Sequence, residues 1–159
     1  MTDDERAAFF PLPLVVTPFD NGRKARLVSD FKFVDNITGR VYLVRAGEST
    51  DWNSTPMVAW SIFPPWMYPE AGLIHDHLYR HPQATITSTG ATVTLSRHDC
   101  DNVHSRLMQL ADAPPKLVEV AYHALRGPAG QIAWDLQRRR DTPSVPPADL
   151  SPDDGQVQP

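Results

Sequence analysis

The chain has one cysteine, Cys100, among 159 residues, so no internal disulfide can form. That excludes a small secreted scaffold held by bridges, and the lack of any Cys-x-x-Cys pair excludes a thiolate zinc cluster. No apolar run approaches the roughly 20 residues needed to cross a bilayer. Excess positive charge is missing too: the formal charge is -4, and the one basic run, Arg138 to Arg140, is flanked by Asp135 and Asp141. Such a run reads as a solvated helix end, and nothing here points to a general affinity for nucleic acid or an acidic membrane. The Gly-x-Ser-x-Gly elbow of serine hydrolases is absent, as are internal repeats. The opening "MTDDERAAFFPLPLVV" has no basic n-region and is broken by Pro11 and Pro13, a poor signal peptide. The expectation is a soluble protein made in a reducing cytoplasm.

What is present is enough for one domain: 41% of residues are hydrophobic. Residues 12 to 63 read as strands, with a hairpin in "FKFVDNITGRVYLV" turning around Asp35, Asn36, Thr38 and Gly39. The loop "RAGESTDWNSTP" follows, then an aromatic, proline-broken stretch containing Trp60, Phe63, Trp66 and Tyr68, read as core lining. A helix is expected from Pro69 to about Arg80, stopped by Pro82. "TITSTGATVTL" reads as a small hairpin turning at Gly90. A second helix starts at Ser96, with Asp99 completing a capping box and Cys100, Val103, Leu107, Leu110 and Ala111 as its apolar stripe. Pro114 and Pro115 open a third, whose expected buried side is Leu117, Val120, Ala121, Ala124 and Leu125. Gly127 and Pro128 interrupt it before a short segment with Ile132 and Trp134. The fold class is therefore α+β, with N-terminal antiparallel strands and hairpins followed by about three helices. The domain spans 1–140, and the Pro- and Asp-rich residues 141–159 read as a disordered tail.

The chemistry-bearing residues concentrate in "GLIHDHLYRH". His75 and Tyr79 are four apart and share a helix face. His75 and Asp76, being adjacent, point about 100° apart and can serve different partners, one taking a proton and the other binding a cation. Asp101 lies early in the second helix, and two packed helices could bring it beneath His75 to fix the imidazole tautomer and stabilise its charged form. Upstream, Asp51 and Ser54 lie in a loop expected near His75; the aspartate can complete a cation shell and the serine is a nucleophile only if a base activates it. His77 should point away from His75 into solvent, and His81 should lie at a helix end. Each polar residue also has a plain structural role. His75, Asp76, Tyr79 and Asp101 can form a buried network joining two helices, and Asp51 and Ser54 can close turns. A zinc site drawing on His75, His98 or His104 with Asp99 is a third reading.

The motif order resembles the phage and prophage proteins of domain of unknown function 1353. That pattern places Gly47, Thr50, Asp51, Ser54 and Pro56 in a loop, His75, Asp76, Leu78 and Tyr79 on a helix, Ser96, Arg97 and Asp101 on the next, and a glycine and Trp134 at the end of a third helix, over roughly residues 12 to 134. The family has no settled activity, but the resemblance implies a phage setting: the bacterial host cytoplasm or the virion, with virion or tail proteins or cell-envelope components as partners. It also groups Arg97 with Ser54 as substrate or loop residues. More distantly, the His-Asp helix with a later helical aspartate is similar to phospholipase A-two enzymes. That likeness implies His75 as the base, Asp76 binding a cation, Asp101 orienting the histidine and Tyr79 bracing Asp101. The glycine-rich calcium loop and disulfides of the secreted enzymes have no counterpart here. Two functions follow. One is a hydrolase of a cell-envelope ester or amide, assisted by a divalent cation (Ca, Mg or Zn) at Asp76 and Asp51. The other is a non-enzymatic phage structural or partner-binding protein in which the cluster is a structural network.

Overall fold

Alternating apolar residues between turn glycines build the sheet half of the molecule. A computed structural model describes residues 2–20, 22, 24–51 and 67–141, with side chains as far as Gln137. Twelve elements follow in order: α1 (Asp3–Phe9), β1 (Val16–Phe19), β2 (Lys24–Leu27), β3 (Phe31–Asp35), β4 (Arg40–Val44), β5 (Ser49–Thr50), α2 (Pro69–Arg80), β6 (Gln83–Ile86), β7 (Thr92–Thr94), α3 (Arg97–Leu110), α4 (Pro115–Arg126) and α5 (Pro128–Asp141). The architecture is α+β. Strands β3 and β4 form the expected hairpin, pairing Phe33 with Tyr42 and Asp35 with Arg40. Period-two alternation puts Phe31, Phe33, Tyr42 and Val44 in the core. The Thr-rich hairpin β6–β7 joins along β4, giving a four-stranded antiparallel sheet of order β3-β4-β6-β7. A second sheet has the order β1-β2-β5.

The helices lie where their stop and start signals put them. Pro69 opens α2 and the chain leaves it just before Pro82. Ser96 and Asp99 form the capping box of α3, each side chain accepting from the other's backbone N–H. α2 packs on α3, α3 on α4, and α5 closes against both α4 and α2. Leu73, Ile74 and Leu78 of α2 and Cys100, Val103, Leu107 and Met108 of α3 join the sheet residues in one buried cluster. Among the described residues no helix is long and apolar enough to cross a membrane.

Two helices exceed the expected three. α1 forms because Thr2 and Glu5 make a capping box and Asp3, Asp4 and Glu5 suit the positive end of the helix dipole. The acidic opening is a helix start, and just beyond it Phe10 stacks on Phe31 and Phe33 at centroid distances of 5.8 and 5.5 Å. α5 is a 14-residue helix rather than a short segment. Pro128 interrupts nothing: it is the first residue of α5, where its missing N–H costs no bond. Gly130 allows α5 to cross the end of α4, since a Cβ there would overlap the Leu125 carbonyl.

The buried side expected for α4 was misplaced in phase. Val118 is its buried residue, with Leu117, Ala121 and Leu125 half-buried, while Ala124 is exposed and Val120 is 65% exposed. Two residues advance a helix by about 200°, so Val120 faces away from Val118. Ser54, the aromatic residues Trp60, Phe63 and Trp66, and the tail from residue 142 lie outside the described residues.

Candidate active site

α2 and α3 pack side by side, so residues 26 positions apart meet across their seam. His75 Nε2 lies 3.3 Å from Asp101 Oδ1, and the Tyr79 hydroxyl donates to the same oxygen at 2.7 Å. Tyr79 is one turn beyond His75, and their rings are 4.1 Å apart. The other carboxylate oxygen, Oδ2, receives Arg126 Nη1 at 3.4 Å and has Arg97 Nε at 3.8 Å. Asp101 is fully buried and His75 is 6% exposed.

Desolvating a lone carboxylate costs several kcal/mol, and here the partners offset it. Burial pushes the Asp101 carboxyl up, but hydrogen bonds from His75 and Tyr79 and the charges of His75 and Arg97 outweigh it, leaving it below its ordinary value. Burial and the bond to Asp101 push the Tyr79 hydroxyl up, so at neutral pH it keeps its proton and acts as a donor. His104, one turn beyond Asp101, sets its ring 5.1 Å from that of His75 in a T-shaped contact. Burial, then the charge of His75, pushes His104 down to about 3, so it stays neutral beside the dyad.

Asp76 leaves the helix in another direction and meets β5. Gly47, at φ 88°, turns the chain through a backbone conformation that a Cβ would strain, and the Gly47 N–H donates to the Leu27 carbonyl at 2.8 Å. That turn lays β5 against β2 and delivers Thr50 and Asp51 to α2. The Thr50 hydroxyl donates to Asp76 Oδ2. Asp51 comes within hydrogen-bonding range of Asp76; burial first, then the charge of Asp51, raises the Asp76 carboxyl well above its ordinary value. Asp51 thus meets the residue that follows His75 on α2. Ser54 lies outside the described residues.

Other expectations are revised by packing. His77 is half-buried rather than exposed: its Nδ1 lies 2.8 Å from Glu48 Oε2, and Arg80 reaches Glu48 Oε1 at 3.1 Å. Burial pushes Glu48 up, but His77 and Arg80 outweigh it and hold its carboxyl low. Arg80 also donates to the Ser49 carbonyl at 2.8 Å, fastening β5 to α2. The zinc reading is not assembled. Asp99 is spent on the Ser96 cap, His98 lies exposed beside Asn102, and among the described residues no group of three His, Cys, Asp or Glu could hold a metal.

Arg97 is turned toward the α4–α5 corner. It donates to the carbonyls of Leu125 and Gly127 and to Gln131 Oε1. That corner brings Trp134 edge-on to Tyr79, with centroids 5.2 Å apart. Sequence reasoning missed Arg126 as part of the cluster and named His104 only as a zinc ligand. The spacing of His104, three residues beyond Asp101 on the same helix, does bring it to the cluster. For Arg126 there was no signal, because its approach depends on where α4 ends.

The fold and site define an α+β domain whose two central helices enclose a His–Asp–Tyr cluster beside a carboxylate pair. The family model described as "Protein of unknown function (DUF1353)" matches residues 25–125, and the chain belongs to that family. No curated protein and no solved structure matches it.

Proposed function

We propose that this protein is a phage- or prophage-encoded hydrolase of a cell-envelope ester or amide, with His75 as its general base. One observation carries the reading: consecutive residues serve two sites, His75 on Asp101 and Asp76 on Asp51. Asp101 accepts the Nε2 proton of His75, leaves Nδ1 with a lone pair for a water proton, and offsets the charge of the imidazolium that results. Tyr79 holds Asp101 in place. The facing carboxylates of Asp76 and Asp51 fit a divalent cation (Ca, Mg or Zn), because two carboxylates in contact repel unless a proton or a cation lies between them. When bound there, such a cation would polarise the attacked carbonyl or phosphoryl group. The phage setting, and with it virion, tail or envelope partners, rests on the family resemblance alone.

The burial of the dyad favours a second reading. Asp101 is fully buried, with all four partners supplied by side chains of the surrounding helices. A network of that kind can join helices without catalysing anything, as in a virion or accessory protein. Thermal melts paired with assays on phospholipid vesicles and peptidoglycan fragments, with each cation, separate the two readings. His75→Asn should lower hydrolysis by about 10²- to 10⁴-fold, the usual cost of losing a general base, while melting near wild type. If His75→Asn melts far below wild type and neither protein turns over any substrate, the cluster is structural.

A further inference from the structure

We propose that Arg80 is the positioning residue of the carboxylate pair: its guanidinium, backed by Glu48, fixes the approach of Asp51 to Asp76 and so sets how tightly a divalent cation is held there. This rests on the cation site of the reading above. The two carboxylates stand on separate elements, Asp51 just past β5 and Asp76 on α2. β5 has two residues, and its ladder pairs Thr50 with Ala25 and Ser49 with Arg26 of β2. That ladder fixes the segment against its own sheet. Its placement against α2 falls to side chains.

One planar group spans the gap. Arg80 Nε donates to the Asp76 carbonyl at 3.0 Å, Nη1 donates to the Ser49 carbonyl at 2.8 Å, and Nη2 lies 3.1 Å from Glu48 Oε1. The guanidinium thus touches the backbone of Asp76 itself and the backbone two residues before Asp51. Its N–H groups share one rigid plane, so these contacts cannot shift independently. Glu48 is braced in turn by His77 Nδ1 at 2.8 Å, and none of the three side chains is more than 25% exposed. A network of this kind can simply stitch a sheet to a helix. Here, however, Glu48, Ser49 and Thr50 meet α2 at Asp76, His77 and Arg80, within the single turn that carries Asp76. The groups brought together there are two carboxylates, which repel and need to be held. Charge and position also predict opposite results. The charge of Arg80 acts on the Asp76 carboxylate, so on charge alone its removal should tighten a cation. A positioning role requires that its removal weaken one.

The test titrates the full chain by calorimetry with calcium, magnesium and zinc in turn. The proteins are wild type, Arg80→Gln, Arg80→Lys, Asp76→Asn and Arg106→Gln, each checked by thermal melt. Asp76→Asn marks the heat that belongs to this site. Arg80→Gln should bind the cation about tenfold more weakly than wild type, the effect of one lost charge-assisted hydrogen bond. Arg80→Lys should fall in between, since an ammonium keeps the charge without the fork. Arg106→Gln, which breaks the ion pair with Asp35, should melt lower and still bind the cation as wild type does. Arg80→Gln binding as tightly as wild type, or more tightly, overturns the proposal and leaves the cation site. Equal weakening in Arg106→Gln overturns it too, because the loss would then follow general loosening. If Arg80→Gln does not fold, Arg80→Lys decides, and affinity equal to wild type overturns the proposal. Wild type giving the same heat as Asp76→Asn removes the cation site and the positioning role with it. Cation binding that needs both Asp76 and Arg80, with no turnover of any substrate, removes the hydrolase and leaves the positioning role.

Discussion

Among the described residues two aspartates have no exposed surface, Asp35 at the end of β3 and Asp101 on α3, and each meets an arginine from a helix. Their other partners differ. Asp35 accepts from the backbone N–H of Ile37 at 3.1 Å and of Thr38 at 3.3 Å, and from the Thr38 hydroxyl at 2.6 Å, all within three positions along the chain. Those donors cannot change charge in the accessible pH range, and the arrangement closes the β3–β4 turn. Among the described residues Asp101 is held by side chains, one of them an imidazole, drawn from α2, α3 and α4. Burial alone therefore does not mark a carboxylate for chemistry. On the hydrolase proposed above, Asp101 would differ from Asp35 in having a partner side chain, His75, able to take and release a proton.

The largest expected effect falls on the structural member. Asp35→Ala strands Arg106 and the turn amides, and should lower stability by about 3–5 kcal/mol, the cost of breaking a buried charge pair, with hydrolysis per folded molecule unchanged. Urea denaturation measures it, and a variant as stable as wild type would erase the contrast. Asp101→Asn should fold, and lose less activity than His75→Asn, because the base remains while its tautomer is no longer fixed.

The pH dependence of that variant has a definite sign. A carboxyl held low in the fold contributes stability above its ordinary value of about 3.9, and that contribution is lost as pH falls through the folded value. The stability gap between wild type and Asp101→Asn should accordingly be wide at pH 7 and narrow toward pH 3. A gap independent of pH would mean that Asp101 carries no net charge interaction.

The smallest effect belongs to Asp76. Its carboxyl is raised, so its contribution is favourable at low pH and is lost as pH climbs through the folded value. Asp76→Asn should melt within about 2–4 °C of wild type at pH 7, the span of roughly 1 kcal/mol in a domain of this size, on the higher side. It should also lose any stabilisation by added calcium, magnesium or zinc. Equal stabilisation of both proteins by a cation would remove Asp76 from the cation site.

The sequence reveals what is local or periodic. Pro69 and Pro82 bracket α2, the Ser96–Asp99 box starts α3, and the spacing of His75 and Asp101 on consecutive helices is enough to predict that they meet. Contacts that depend on a change of chain direction are not legible. Arg106 reaches Asp35 across 71 positions and Arg126 reaches Asp101 across 25, each between separate elements, where no single period applies. α5 was hidden because Gly127 and Pro128 look like breakers, whereas with Gly130 they form a sharp corner. His77 looked exposed because Glu48 arrives only after β5 folds back onto α2.

That corner also bears on where the protein's working unit ends. The family match stops at Leu125, yet Arg126 is the next residue, and Gly130 and Trp134 belong to the following helix. Trp134 walls Tyr79, and Arg97 of the matched region is anchored largely on residues 127 and 131 beyond it. A fragment excised at residue 125 would keep every motif residue from Gly47 to Asp101 and still lose the wall behind Tyr79 and the second arginine on Asp101. The shared segment is thus only the hearth of the site; its chimney is built by the fifteen or so residues that follow, about four helical turns at 3.6 residues each.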